Sequence, residues 1–203
     1  MKNRMLLGAA LICALVTVNG VTGQDKAAGD SAQPAKKAFK IVMIAKSSTN
    51  PVFLSARTGA EAAAKALSEK LGIAIEIDWR TPPTEDGQVQ AQKIAQAVND
   101  NADAILISCS DAAKVTGAIN DAVERGVPVM AFDSDAPASK RFAFYGVDDL
   151  KTGKKVMSEL AKQLGGKGNV AVLAGNQNAP NLQKRVQGIK EEQGAHSLVE
   201  VVA

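Results

Sequence analysis

The chain has 203 residues, 46% of them hydrophobic and so enough for a packed core, with 24 Lys and Arg against 21 Asp and Glu for a net charge of +3. No basic block is interleaved with aromatic residues, so a nucleic-acid surface has no compositional support. One histidine and two cysteines are too few for a zinc-type or other soft-metal site.

Met1-Lys-Asn-Arg4 is basic, Met5 to Val18 is apolar without a charge, and Asn19-Gly-Val-Thr-Gly23 is rich in small residues. That order is the pattern of a secretory signal peptide over residues 1–23, too short in its apolar part to span a membrane, with a mature start near Gln24. A lipoprotein anchor would use Cys13, but Ile12 stands before it where a small residue is wanted. Cleavage removes Lys2 and Arg4 and no acid, taking the net charge from +3 to +1. It also removes Cys13, so Cys109 has no partner for an internal disulfide. In the apolar run Ala104–Cys109 it reads as a buried small hydrophobe. Residues 24–38 lack periodicity and read as a flexible linker, with ordered structure expected from Phe39.

From Phe39 one unit recurs: a short β-branched run, a turn, then an amphipathic helical stretch. The expected strands are Phe39–Ala45, Ile73–Trp79, Ala104–Ser108, Val127–Phe132, Phe142–Val147, Asn169–Leu173 and Leu198–Val202. The expected helices are Pro51–Lys70, which begins with proline behind Asn50, Glu85–Asp100, Asp111–Arg125, Thr152–Leu164 and Asn181–Glu192. Alternation of this kind means parallel βαβ units, with strands buried on both faces. The connection Phe132–Phe142 is a polar loop with no helix, and the pattern restarts at Asp148-Asp149. A hinge is therefore expected there, between an N-terminal α/β lobe over residues 39–147 and a partial second lobe over 148–203.

The chain lacks Gly-x-Gly-x-x-Gly, Gly-x-x-x-x-Gly-Lys-[Ser/Thr], Gly-x-Ser-x-Gly and His-Glu-x-x-His, and its single histidine, His196, lies beyond the last helix and reads as a surface residue. The informative stretch is Val127-Pro-Val-Met-Ala-Phe132 running into Asp133-Ser-Asp-Ala-Pro137. Ligands of parallel sheets sit beyond the strands' carboxyl ends, and a carboxylate there accepts several hydroxyl hydrogen bonds at once, which suits a polyol. The alternative is that Asp133 or Asp135 caps the turn before Pro137.

Five segments in order resemble the ribose-binding-like family of type I periplasmic sugar-binding proteins of ABC importers. They are Ser48-Thr-Asn-Pro-Val-Phe53, Ile105-Leu-Ile-Ser-Cys-Ser-Asp111, Val127-Pro-Val-Met-Ala-Phe-Asp133, Tyr145-Gly-Val-Asp-Asp149 and Asn181-Leu-Gln-Lys-Arg-Val-Gln-Gly188. The resemblance runs from Phe39 to the end. It implies an α/β fold of two lobes with parallel sheets flanked by helices, and a periplasmic, monomeric receptor that is not an enzyme. Such a receptor captures a monosaccharide or sugar alcohol and delivers it to an ABC permease in the inner membrane, with no cofactor, metal or nucleic acid.

The site residues implied are Asn50, Phe53, Ser108, Asp133, Asn181 and Arg185. Phe53 would stack on the sugar's C–H face while the amides, the carboxylate and the guanidinium meet its hydroxyls. Asn50 reads equally as a helix N-cap, Phe53 as core, and Arg185 as a solvated residue beside Lys184. Asn181 lies one turn before Arg185 and could join it. Trp79 and Arg80 stand either at the cleft mouth or packed at the surface. Ribose-binding members carry arginine where this chain has Ser134 and asparagine where it has Ser108, which leaves another pentose, a hexose or a sugar alcohol open.

A repressor on this fold would carry a helix-turn-helix where the signal peptide stands, and a glycosidase needs carboxylates across a bond, whereas Asp133 and Asp135 share one turn. A chemotaxis or two-component sensor fits the same pattern. The chain stops within Leu198–Ala203 with no helix after it, so a truncated second lobe, short by on the order of 100 residues, is the expectation.

Overall fold

Strong local signals set most element boundaries in the computed structural model, which describes residues 38–197 and 199–202. The proposed signal peptide and all of the proposed linker except Ala38 lie outside the described residues. Ala38 itself opens the first strand. The elements run β1 (Ala38–Ile44), α1 (Pro51–Leu71), β2 (Ala74–Trp79), α2 (Gly87–Asn99), β3 (Ala104–Ile107), α3 (Ala112–Glu124), β4 (Val129–Phe132), β5 (Ala143–Tyr145), α4 (Asp149–Gln163), β6 (Gly168–Ala171), α5 (Pro180–Gln193) and β7 (Val199–Val202).

The Asx residues decide where helices start. Asn50 accepts from Val52 N–H at 3.0 Å, Asp86 from Gln88 and Val89, Asp111 from Ala113 and Lys114, and Asp148 from Lys151. A cap lies outside the helical hydrogen-bond pattern, so α2 begins after Asp86 rather than at Glu85. By the same rule α4 begins at Asp149, a turn earlier than the apolar periodicity suggests. Among the described helices only α5 starts without a side-chain cap, behind Ala179 with Pro180 in its first turn.

Strands β1 to β5 form one parallel sheet in the order β2-β1-β3-β4-β5, and β6 and β7 pair in a second parallel sheet. The main core joins Val42, Ile44, Ile105, Ile107, Val129 and Ala131 of the larger sheet to Ile94, Ala97, Val115, Ile119 and Ala122 of α2 and α3. The strands are not closed equally on both faces, as the apolar runs had suggested. Burial alternates along β3 and β4, so that Leu106, Met130 and Phe132 are only half-buried.

A smaller cluster of Met157, Ala161, Val170 and Val199 ties α4 to the second sheet. There α4 and α5 cross at Gly153 and Gly188. A Cβ at Gly153 would overlap the Arg185 carbonyl, and one at Gly188 the Leu150 carbonyl.

The loop between β4 and β5 is locked by Arg141, whose Nε and Nη2 both donate to the Asp135 carboxylate, the latter at 2.7 Å. Arg80 pairs with Asp78 and Asp100, and Trp79 lies under Arg57 at 5.6 Å, so both have packing partners at this surface. Cys109 is fully buried, and burial pushes its thiol up to about 12. His196, expected on the surface, is half-buried with Nε2 3.5 Å from Glu192. No helix among the described residues is long and apolar enough to cross a membrane.

Candidate functional site

The carboxyl ends of β1, β3 and β4 deliver Lys46, Ser108 and Asp133 to one place. Asp133 has φ 57°, and Ser134 N–H closes back on the Phe132 carbonyl at 2.6 Å, a tight three-residue turn in a region non-glycine residues rarely occupy. Asparagine and aspartate tolerate it best. The turn halts the strand, and Asp133 Oδ2 accepts from Ser108 Oγ at 2.7 Å and lies 3.8 Å from Lys46 Nζ.

Lys46 is buried, and its Nζ donates to Asn181 Oδ1 at 2.9 Å. Burial is the chief cause holding its pKa below the ordinary lysine value, and the charges of Asp133 and Glu85 oppose that shift. One unbroken line of polar contacts thus runs from Ser108 through Asp133 and Lys46 to the first turn of α5.

Gln90 braces this end of the sheet from beneath. Its amide donates to the carbonyls of Ala45 at 3.0 Å and Ser108 at 2.8 Å and accepts from Ser110 N–H at 2.8 Å. A second link to the β6–α5 loop comes from Asn176 Nδ2, 3.3 Å from Glu85 Oε2 and 3.4 Å from the Ser110 carbonyl. Arg185 donates through Nε to Asp149 Oδ1 at 2.8 Å, with Asp149 itself 5% exposed. A cavity of about 390 Å³ beside this pair is lined by Asp135, Phe144, Asp149, Pro180, Asn181 and Lys184, among others. Its volume is within the range of small-molecule sites.

Of the six residues expected at the site, Ser108, Asp133 and Asn181 come together around Lys46. Asn181 pairs with Lys46 rather than joining Arg185, because α5's crossing of α4 turns Arg185 toward Asp149. Asn50 does cap α1, which occupies its Oδ1, and Phe53 is buried in the first turn of the same helix. Asp135 is taken up by Arg141 and by Ala136 N–H.

Lys46, Gln90 and Asp149 were not foreseen. Lys46 stands two residues beyond the end of β1, so the strand-end rule that picked out Asp133 could have found it. Asp149 fell in the expected hinge ahead of a helix expected from Thr152, where an acid carries no ligand signal, and Gln90 carries none among the polar residues of α2. Two cations, Lys46 and Arg185, face the carboxylates Asp133 and Asp149, and the charge of Glu85 also acts on Lys46, so each cation already has a carboxylate partner. Among the described residues no cluster of three His, Cys, Asp or Glu side chains is placed to hold a metal ion.

Parallel α/β units place their ligands at the strand ends where these polar side chains gather. Residues 41–203 match the family model described as periplasmic binding protein domain, and the chain belongs to that family. The ribose import binding protein RbsB of Bacillus subtilis (strain 168) is 29% identical over 153 residues, which cover 75% of this chain and 48% of that protein. A xylitol-binding protein of Mycolicibacterium smegmatis is 26% identical over 129 residues, covering 64% of this chain and 37% of its own length. The crystal structure of an ABC transporter solute-binding protein from Burkholderia graminis in complex with D-arabinose superposes with a TM-score of 0.75 at 29% identity. That match covers 84% of this chain and 56% of the other. The chain spans about half the length, or less, of these curated relatives.

Proposed function

We propose that this protein is the extracytoplasmic receptor of an ABC importer, which captures a neutral monosaccharide or sugar alcohol and presents it to a permease in the inner membrane without altering it. The observation that carries this reading is the contact line Ser108–Asp133–Lys46–Asn181. It sets an acceptor-only carboxylate beside an ammonium and an amide, the groups needed to satisfy adjacent hydroxyls in both donor and acceptor directions. The ring face falls to Phe53, with Asn50 and Arg185 at the rim. Because Lys46 and Arg185 each already face a carboxylate, the group favours a neutral ligand over a sugar acid or sugar phosphate, which would need an uncompensated cation.

In this reading the two sheets are the centres of two lobes, residues 39–147 and 148–203, that close on the ligand across α5's first turn. Residues 1–23 direct export to the periplasm and are removed near Gln24. The named ligands of the relatives support the substrate class.

The test is calorimetry of the purified protein against neutral pentoses, hexoses and polyols, with uronic acids and sugar phosphates as controls, followed by recovery of the bound compound. One-to-one binding of a neutral sugar, recovered unchanged, is the expected result. Preference for the acids, or no binding across the panel, overturns the proposal. N-terminal sequencing of exported protein tests the leader, and an intact Met1 in the cytosol overturns export.

A further inference from the structure

We infer that Asp149 is a positioning residue for sugar recognition, holding Arg185 by Nε so that its two terminal nitrogens stay available to the ligand. The inference rests on the receptor reading above. Asp149 has no helix-capping duty, because Asp148 accepts from Lys151 N–H and starts α4. Its side-chain partner among the described residues is Arg185 Nε at 2.8 Å, yet its side chain is 5% exposed. Burial of a carboxylate is costly without a charged partner, so Asp149 and Arg185 are held to each other.

The bond is one-toothed. A guanidinium usually meets a carboxylate through two parallel hydrogen bonds, whereas here the terminal nitrogens of Arg185 donate to no side chain among the described residues, and the arginine remains 39% exposed. Those two nitrogens are the portion of the fork suited to bridging adjacent hydroxyls.

The backbone enforces the arrangement. Gly153, one turn after Asp149, packs directly on the Arg185 carbonyl, and Gly188 packs on the Leu150 carbonyl. The helices therefore touch backbone to backbone at the pair, which fixes the separation of the two backbones from which the side chains reach each other.

The test is calorimetry with the best-bound neutral sugar and its monodeoxy analogues, comparing the parent with Arg185→Ala, Asp149→Ala, Asp149→Asn and the double alanine variant. Arg185→Ala identifies the hydroxyl the guanidinium reads, since the analogue lacking that hydroxyl loses no further affinity. Asp149→Ala is expected to weaken the parent sugar about 10-fold and to reproduce the same analogue pattern, with the double variant no weaker than Arg185→Ala alone. Asp149→Asn keeps an acceptor and is expected to stay within about 3-fold.

A uniform loss over all analogues, or additive losses in the double variant, marks Asp149 as merely structural and overturns the inference. Sugar binding that Arg185→Ala leaves unchanged removes Arg185 from the site and the inference with it, while a parent that binds no sugar removes the receptor reading itself. Should Asp149→Ala fail to fold, the Arg185 Nε–H resonance of the parent decides. Slow exchange with water, unchanged by sugar, supports the inference, and rapid exchange overturns it.

Discussion

Lys46 Nζ donates to Asn181 Oδ1 at 2.9 Å across 135 residues of chain, joining the end of β1 to the first turn of α5. A ligand entering between them must displace this bond or share it, so it has to offer both a donor and an acceptor. Lys46 also titrates below its ordinary value there, because it is buried.

Replacing Asp133 by alanine is expected to cost on the order of 2 to 4 kcal/mol of sugar binding, because charge-assisted hydrogen bonds are lost and the Lys46 ammonium is left without its carboxylate. Calorimetry on the variant checks this. Unchanged affinity would remove Asp133 from the site.

Because burial lowers the Lys46 pKa in the folded protein, the unfolded chain binds more protons between that lowered value and the ordinary lysine value near 10.5. Stability from this group is therefore expected to rise with pH across that window, and to be flat below it. Urea denaturation at a series of alkaline pH values should show the parent gaining on Lys46→Met. A parallel course for the two proteins would contradict the assignment.

The helix crossing predicts opposite effects for glycines of one chemical type. Gly188→Ala must force the backbones of α4 and α5 apart and is expected to cost about 1 to 3 kcal/mol. Gly117→Ala, in α3 with nothing within 4 Å of an added Cβ, is expected to stabilise by about 0.5 to 1 kcal/mol through helix propensity. Denaturant midpoints measure both.

Arg141→Ala leaves the buried Asp135 carboxylate without its guanidinium and is expected to destabilise by about 3 kcal/mol. The double variant Arg141→Ala with Asp135→Ala should recover some of that loss. If the double variant is no more stable than the single one in thermal melts, the ion pair is not what holds the β4–β5 loop.

The parallel α/β design and nearly all of the element positions were legible in the sequence, because they rest on short-range signals. Apolar periods of two and 3.6 and Pro51 behind Asn50 act within a turn of where they stand, whereas the caps Asp86, Asp111 and Asp148 shifted the exact starts of α2, α3 and α4. Asp133 was legible for the same reason, as a carboxylate at the end of an apolar strand. What the chain alone could not reveal is the choice between roles each residue could fill. Asn50 fits a helix cap as well as a ligand contact, and Phe53 core packing as well as ring stacking; in the fold Asn50 makes its cap bond to Val52 and Phe53 is buried.

The partnerships were decided only by packing. Lys46 with Asn181, Asp149 with Arg185 and Gln90 with the ends of β1 and β3 join residues far apart in the chain, through side chains whose local sequence carries no trace of the other partner. The sheet order and the backbone contact at Gly153 and Gly188 bring them within hydrogen-bond distance. By itself the sequence determined the kind of elements and the strand end at which polar groups would gather. The tertiary structure decided which of those groups meet, because close packing leaves each buried polar atom only the neighbours that the fold supplies.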